Sequence, residues 1–182
     1  MYFEYETDRL ILKKLDEPDA GKVLKFYSEG DEYFGGAEPE RPQYFYTREY
    51  MQKLLKYEGD AFLAGSMARY YIFEKKDYNK IIGTISLRDI KRNSFCSAQI
   101  GYKLLKNYTM RGYGTEAVRA AVEIAFDNGL HRINAYVQPD NLSSIRVLEK
   151  AGFIREGLLH KYAKLRGEWK DHCLYACINE KD

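Results

Sequence analysis

The stretch from Ser97 to Phe153 limits the possible folds more than any other part of the chain, because strand and helix patterns alternate along it twice. Ser97–Leu105 (SAQIGYKLL) reads as a strand. Ala117, Val118, Ala121, Val122, Ile124 and Ala125 then recur at helical spacing, and Asn128-Gly129 gives that helix a common stop. Ile133–Val137 (INAYV) reads as a second strand, ended by Pro139. Asn141 opens a second helix, with Leu142, Ile145 and Leu148 on one face and Gly152 at its C-terminal end. Helices with one apolar face each, set between strands, need a sheet to bury those faces.

The flanks supply further strands. Arg9–Leu15 reads as one. Glu17-Pro18-Asp19 opens a helix to about Tyr27, since Pro suits a first helical turn. Gly30–Arg48, with Gly35-Gly36, Pro39 and Pro42, reads as a long irregular loop with a short helical turn, and loops of that length often carry function. Tyr50–Glu58 is helical. Ala68–Glu74 and Ile81–Arg88 are consecutive strands with Asp77-Tyr78-Asn79 as their turn, and Phe153–Lys164 and Trp169–Ile178 are two more, joined at Arg166-Gly167. Consecutive strands on both sides of a strand–helix–strand–helix centre predict an α/β fold. The expected sheet is mixed, mostly antiparallel, of about six to seven strands flanked by helices.

The 182 residues, 45% hydrophobic, are enough for one domain over residues 1–182 and exclude a disordered chain. The net charge of +2 gives no support to nucleic-acid binding. No apolar run approaches the roughly 20 residues of a membrane helix. Cys96, Cys173 and Cys177 are too few and odd in number for a disulfide framework, and the first residues lack the pattern of a secretory leader, so the expectation is a reduced, cytoplasmic protein. Cys173 and Cys177, four apart in a strand, lie about 13 Å from one another with His172 on the opposite face, so no metal site is expected.

Two segments carry polar chemistry. Arg111-Gly112-Tyr113-Gly114-Thr115 lies between a strand and a strong helix. Its glycines allow a tight turn and close backbone approach, and the helix start behind it offers unpaired N–H groups to an anion, a phosphate above all. The spacing is neither the dinucleotide nor the Walker pattern, and a loop that merely caps the helix explains the same residues. In the second segment Asn141 is a good N-cap with Ser144 three residues on. Capping alone explains both; the other reading is that they present polar groups to a ligand at the end of the preceding strand.

Together these segments resemble the GCN5-related N-acetyltransferases (GNAT), in particular the ribosomal-protein-alanine branch of RimJ/RimL type. The resemblance rests on Ile100-Gly101-Tyr102-Lys103-Leu104 followed by Gly112-Tyr113-Gly114-Thr115-Glu116-Ala117, on Asn141 through Glu149-Lys150-Ala151-Gly152-Phe153, on Gly167-Glu168-Trp169-Lys170-Asp171, and on Thr7-Asp8-Arg9-Leu10. It spans nearly the whole chain. It implies acetyl-CoA as co-substrate and a sheet that splays beside the strand ending near Leu105. The pantetheine arm would lie in that cleft, paired with the backbone of Leu104 and Leu105. The pyrophosphate would sit on the N–H groups of Arg111, Gly112, Tyr113, Gly114 and Thr115, and Asn141 and Ser144 would stand near the sulfur. Ser144 matches the serine proposed in that branch as proton donor to the leaving thiolate and is the catalytic candidate.

The chain departs from the family in three places. Thr109-Met110 replaces the residues that usually open the pyrophosphate loop. Gln99, which takes no proton, stands where many relatives carry Glu. Leu148 stands where some branches carry a tyrosine proton donor. A lysine-type amine is about 3.4 pH units from neutrality at pH 7 and an α-amine only about one, so a site without a placed carboxylate suits an α-amine. The expected activity is direct acetyl transfer to a primary amine, with a protein or peptide N-terminus as leading acceptor. A small amine (polyamine, amino acid or aminoglycoside) and a non-catalytic acetyl-CoA-binding module are the alternatives. Glu74, Asp89 and the acids from Glu32 to Glu40 are candidates for a water-relayed base. Tyr33, Phe34, Tyr44, Phe45 and Tyr46 fall where the family places its acceptor site. A monomer or homodimer is expected, with no nucleic-acid or membrane partner.

Overall fold

Central strands buried on both faces, Ala68–Glu74 and Asp77–Lys91 above all, and helices with one apolar face combine into three layers in the computed structural model, which describes residues 1–34 and 41–181. In chain order the elements are β1 (Glu4–Glu6), β2 (Leu10–Lys13), α1 (Ala20–Phe34), α2 (Arg48–Leu63), β3 (Ala68–Glu74), β4 (Asp77–Lys91), β5 (Ser97–Leu104), α3 (Tyr113–Asp127), β6 (Arg132–Val137), α4 (Leu142–Lys150), β7 (Ile154–Leu165) and β8 (Glu168–Ile178). The described residues form one eight-stranded sheet in the order β1-β2-β3-β4-β5-β6-β8-β7. Its neighbours are antiparallel except β5 and β6, which the α3 crossover makes parallel.

One face of the sheet buries Leu10, Leu12, Tyr70, Ile85, Ile100, Ile133 and Tyr175 against the apolar stripe of α3 (Val118, Ala121, Val122, Ala125) and Leu148 of α4. The other face buries Tyr71 and Phe73 of β3 against Val23, Phe26 and Tyr27 of α1 and Met51 and Leu55 of α2. That second apolar layer takes in no residue of β6, β7 or β8. Over this half of the sheet the second face carries Asn134, Tyr136 and His172 instead, continuing the polar position of Gln99 on β5.

β5 and β6 pair through Ser97↔Arg132, Ala98↔Ile133 and Gln99↔Asn134 and then part, although β5 runs on to Leu104 and β6 to Val137. The sheet therefore carries the expected splay.

Four local readings change. The eighth strand is β1, whose three residues Glu-Tyr-Glu are too short to show a period. The turn after β3 is Lys75-Lys76, because Asp77 already pairs with Glu74, so the turn-like Asp77-Tyr78-Asn79 belongs to β4. Helix α1 continues seven residues beyond Tyr27 to Phe34. Gly30, which reads as a breaker, makes room there: a Cβ on it would fall 2.1 Å from the Phe34 ring. Helix α2 likewise extends past both ends of the expected Tyr50–Glu58. The expected loop features Gly35-Gly36, Glu38, Pro39 and Glu40 lie outside the described residues. Among the described residues no helix is long and apolar enough to cross a membrane.

Candidate functional site

The splay leaves backbone groups of β5 without a strand partner. Leu105 N donates to Ile82 O at 2.8 Å, and in an antiparallel ladder alternate residues face the partner strand. Gly101 and Lys103 therefore turn their backbone groups to β4, while Tyr102 and Leu104 turn theirs to the gap. Leu104 thus lies on the open edge. Leu105 does not: its N–H is taken by Ile82, and its carbonyl accepts from Tyr108 N at 2.9 Å. The pair exposed to the gap is Tyr102 and Leu104.

At the open end of the gap the chain turns into α3. Met110 (φ +59°) and Gly112 (φ +82°) are both left-handed, and the backbone folds back so that Gly112 O accepts the helix's first bond, from Glu116 N at 3.0 Å. No side chain caps this helix, so the N–H groups of Tyr113, Gly114 and Thr115 are its orphan donors. The two glycines have different duties. Gly112 supplies the turn. Gly114 lets α3 approach its neighbours, since a Cβ there would stand 3.3 Å from Val147 of α4 and 3.7 Å from Leu104.

A brace from the N-terminal strands holds this loop. Glu116 accepts from Thr7 Oγ1 at 2.6 Å, from Arg9 N at 2.9 Å and from Arg9 Nε at 2.7 Å. Burial alone raises the Glu116 pKa, but these donors outweigh it and hold the carboxyl below its ordinary value. Arg9 also donates from Nη1 to Arg111 O at 3.0 Å and lies 4.6 Å over the Tyr113 ring. Tyr113 sends its hydroxyl inward to Glu74, and that hydrogen bond is the main reason the Glu74 carboxyl sits below the usual range. The Arg111 guanidinium stays exposed, 5.5 Å over Tyr108. Thr7 and Arg9 belong to a segment the sequence singled out, but their partner Glu116 was not legible there.

Across the gap, α4 begins where Asn141 Oδ1 accepts from Ser144 N at 3.1 Å and Ser143 Oγ at 3.0 Å. The side-chain oxygen of Asn141 is thus an N-cap. Ser144 Oγ lies 2.8 Å from the Tyr102 hydroxyl, which also reaches Ser144 O at 3.0 Å. Burial pushes the Tyr102 phenol up to about 12. The sequence segment that held Tyr102 was noted for its strand, and the side chain's reach to Ser144 was missed.

On the second face the sheet presents the row Arg88, Gln99 and Asn134 where the gap closes. The Arg88 guanidinium lies over Gly101, with Nη2 3.3 Å from where a Cβ would stand. The base candidates are dispersed. Glu74 is tied to Tyr113 and to Lys76 at the loop end. Asp89 (φ +49°) sits at the irregularity in the β4–β5 ladder, beyond Gln99. Glu58 on α2, not read as a candidate from sequence, is a buried carboxyl facing Arg69 at 3.3 Å and accepting from Tyr71 at 3.0 Å. Its burial raises its pKa, and Arg69 and Tyr71 pull it part of the way back.

Cys96 Sγ donates a hydrogen bond to Asn93 O in the turn before β5, Cys173 is buried in the α3–α4 core, and Cys177 packs against the same core with its thiol pKa raised by burial.

The chain is similar to known proteins over most of its length. The model of the acetyltransferase (GNAT) domain family matches residues 9–154. A probable N-acetyltransferase of Bacillus subtilis, YjcK, is 38% identical over 174 residues, covering 95% of this chain and 96% of that protein. The ribosomal-protein-S5-alanine acetyltransferase of Vibrio fischeri superposes with a TM-score of 0.91 at 29% identity, covering 97% of each chain. RimJ of Mycobacterium smegmatis, solved with CoA-disulfide, superposes at 0.88 with 25% identity, covering 94% of this chain and 83% of that one. A split parallel pair of strands, a glycine turn into a helix start and a match over most of the chain converge on one conclusion: this chain belongs to the GNAT family of acetyl-CoA-dependent acetyltransferases.

Proposed function

We propose that the chain transfers the acetyl group of acetyl-CoA directly to the α-amine at a protein or peptide N-terminus. The observation that carries this reading is the free inner edge of β5 at Tyr102 and Leu104, running between the uncapped start of α3 and the Ser144 hydroxyl. A strand edge offers N–H and C=O groups to the amides of a pantetheine arm, and a helix start offers donors to a pyrophosphate. Leu104 and Tyr102 would hold the arm. Arg111, Gly112, Tyr113, Gly114 and Thr115 would hold the pyrophosphate, with the Arg111 charge beside it. Asn141 would fix the start of α4, and Ser144 would donate to the sulfur as the carbon–sulfur bond breaks.

The acceptor nitrogen attacks the thioester carbon, the carbon–nitrogen bond forms, and the sulfur leaves with the bonding pair. That attack needs a neutral amine. Gln99 provides no carboxylate at the closing row of the gap, and the positive charge of Arg88 on that row disfavours a protonated amine nearby. Both features suit an amine whose own pKa lies near 8, as an N-terminal α-amine does. The surroundings of the cysteines, Cys96 hydrogen-bonded in a turn and Cys173 and Cys177 packed against the core, agree with direct attack rather than an acetylated enzyme. The relatives that act on a ribosomal-protein alanine point the same way. The test is release of CoA at pH 7 from acetyl-CoA with three acceptors: a peptide with a free α-amine, its α-blocked counterpart with one lysine, and small amines (a polyamine and an amino acid). The free α-amine is expected to turn over fastest. Faster turnover of the lysine peptide or of a small amine would refute the acceptor class.

A further inference from the structure

The bond between Tyr102 and Ser144 joins the two sides of the gap, since Tyr102 belongs to β5 and Ser144 to the helix that follows β6. We propose that Tyr102 is a positioning residue that aims the Ser144 hydroxyl proton at the sulfur of bound CoA. The proposal rests on the reading of Ser144 as the donor to that sulfur.

A serine hydroxyl rotates freely unless a partner fixes it. Asn141 fixes the Ser144 backbone through the 3.1 Å cap, which leaves the hydroxyl rotor as the remaining freedom. The single phenolic proton of Tyr102 has two acceptors within reach, Ser144 O at 3.0 Å and Ser144 Oγ at 2.8 Å. When it goes to the carbonyl, the serine proton is drawn to the phenol oxygen and is lost to the gap. When it goes to Oγ, the serine proton is turned away from Tyr102 and becomes a stronger donor, because hydrogen bonds in a chain polarise one another. Negative charge grows on the sulfur as the carbon–sulfur bond breaks and favours the second arrangement. The pair therefore donates most strongly when the thiolate forms, which is the condition for lowering the barrier rather than merely binding the thioester. Tyr102 keeps its proton from pH 7 to 10, since burial pushes the phenol up to about 12. The step needs no added reagent. The nitrogen's electron pair makes the new bond, the sulfur keeps the old pair, and the proton shed by nitrogen ends on sulfur or in solvent.

The test needs no acceptor. CoA and acetyl-CoA are titrated calorimetrically from pH 7 to 10 into the unaltered protein, Ser144→Ala, Tyr102→Phe and the double variant; acetyl-CoA has no thiol to ionise and reports binding and folding alone. In the unaltered protein CoA is expected to tighten relative to acetyl-CoA by about tenfold as pH rises through the thiol pKa, about one unit of pKa stabilisation. Tyr102→Phe, which keeps the backbone groups of the strand edge, is expected to lose most of that rise when CoA is compared with acetyl-CoA at each pH. The double variant is expected to be no flatter than Ser144→Ala. A full rise in Tyr102→Phe overturns the proposal, as does a flat profile in the unaltered protein or a loss of acetyl-CoA affinity equal at every pH. A rise that survives in Ser144→Ala refutes the donor role of Ser144 itself. If it survives there but is lost in Tyr102→Phe, Tyr102 touches the sulfur directly and the positioning role is wrong.

Discussion

Replacing Gly112 with alanine probes the loop before α3 at its most constrained point. The backbone there has φ +82°, and a Cβ would stand 3.2 Å from Arg9 Nη2. A left-handed conformation costs an L-residue roughly 1–2 kcal/mol. The guanidinium must also shift, and it is held by Arg111 O at 3.0 Å and Glu116 at 2.6 Å. Losing that half-exposed contact adds about 0.5–1 kcal/mol. The sum is about 1.5–3 kcal/mol, and at this chain length about 2–4 °C of Tm per kcal/mol gives a fall of roughly 3–12 °C. Gly129→Ala is the control, because Gly129 has φ +75° with nothing within 4 Å of its missing Cβ. It carries the strain without the collision and is expected to cost about 1–2 kcal/mol. Urea unfolding reads the two stabilities, and calorimetric titration reads acetyl-CoA affinity. Gly112→Ala is expected to weaken acetyl-CoA by about tenfold, one charge-assisted backbone bond, while Gly129→Ala leaves it unchanged. Equal stability losses in both variants, with acetyl-CoA affinity intact in Gly112→Ala, would refute the assignment of this loop and its brace.

Glu116→Gln removes a carboxylate whose pKa is held down in the folded state. A depressed carboxyl contributes stability in full above its unfolded pKa, about 4.3, and loses it as pH falls through the folded value. The stability gap between unaltered protein and variant, read by urea unfolding, should therefore be largest near neutrality and close as pH drops below about 4. Leu148→Ala empties a site that is 1% exposed beneath α4 and should cost about 2–5 kcal/mol in the same assay. Removing the charge at Arg88 with Arg88→Gln should move the rise of the pH–rate profile for an α-amine acceptor to higher pH, since the ammonium form is then less disfavoured; an unmoved profile places the acceptor elsewhere.

What the sequence revealed follows from the range of each interaction. The centre was legible because its signals are local: α3 and α4 have apolar stripes, and each is followed by a glycine that adopts positive φ, at Gly129 and Gly152. The last hairpin was legible for the same reason, its Arg166-Gly167 turn having φ +48° and +83°. Gly30 misled because its role is set by a ring four residues on rather than by its own turn chemistry. Asp77-Tyr78-Asn79 misled because pairing with β3 outweighs turn preference. In the site, the segments were visible but several contacts were not. Arg9 meets Glu116 across 107 residues and Tyr102 meets Ser144 across 42, and no periodicity records such meetings. Leu105 was placed on the open edge because resemblance names a segment, whereas the alternation of the ladder decides which residue of that segment faces the gap.

The parting of β5 and β6 also bears on how the molecule breathes. Three residue pairs form the whole backbone ladder between the β1–β5 half of the sheet and the β6–β8–β7 half. The amides of Tyr102 and Leu104 thus lie in the middle of a sheet yet are expected to trade hydrogen with solvent as a frayed edge does. A ligand that pairs with them supplies the missing ladder and couples the opening of one half to that of the other. Slowed amide exchange at these two positions, spreading into β6 as ligand is added, would then report occupancy from inside the sheet.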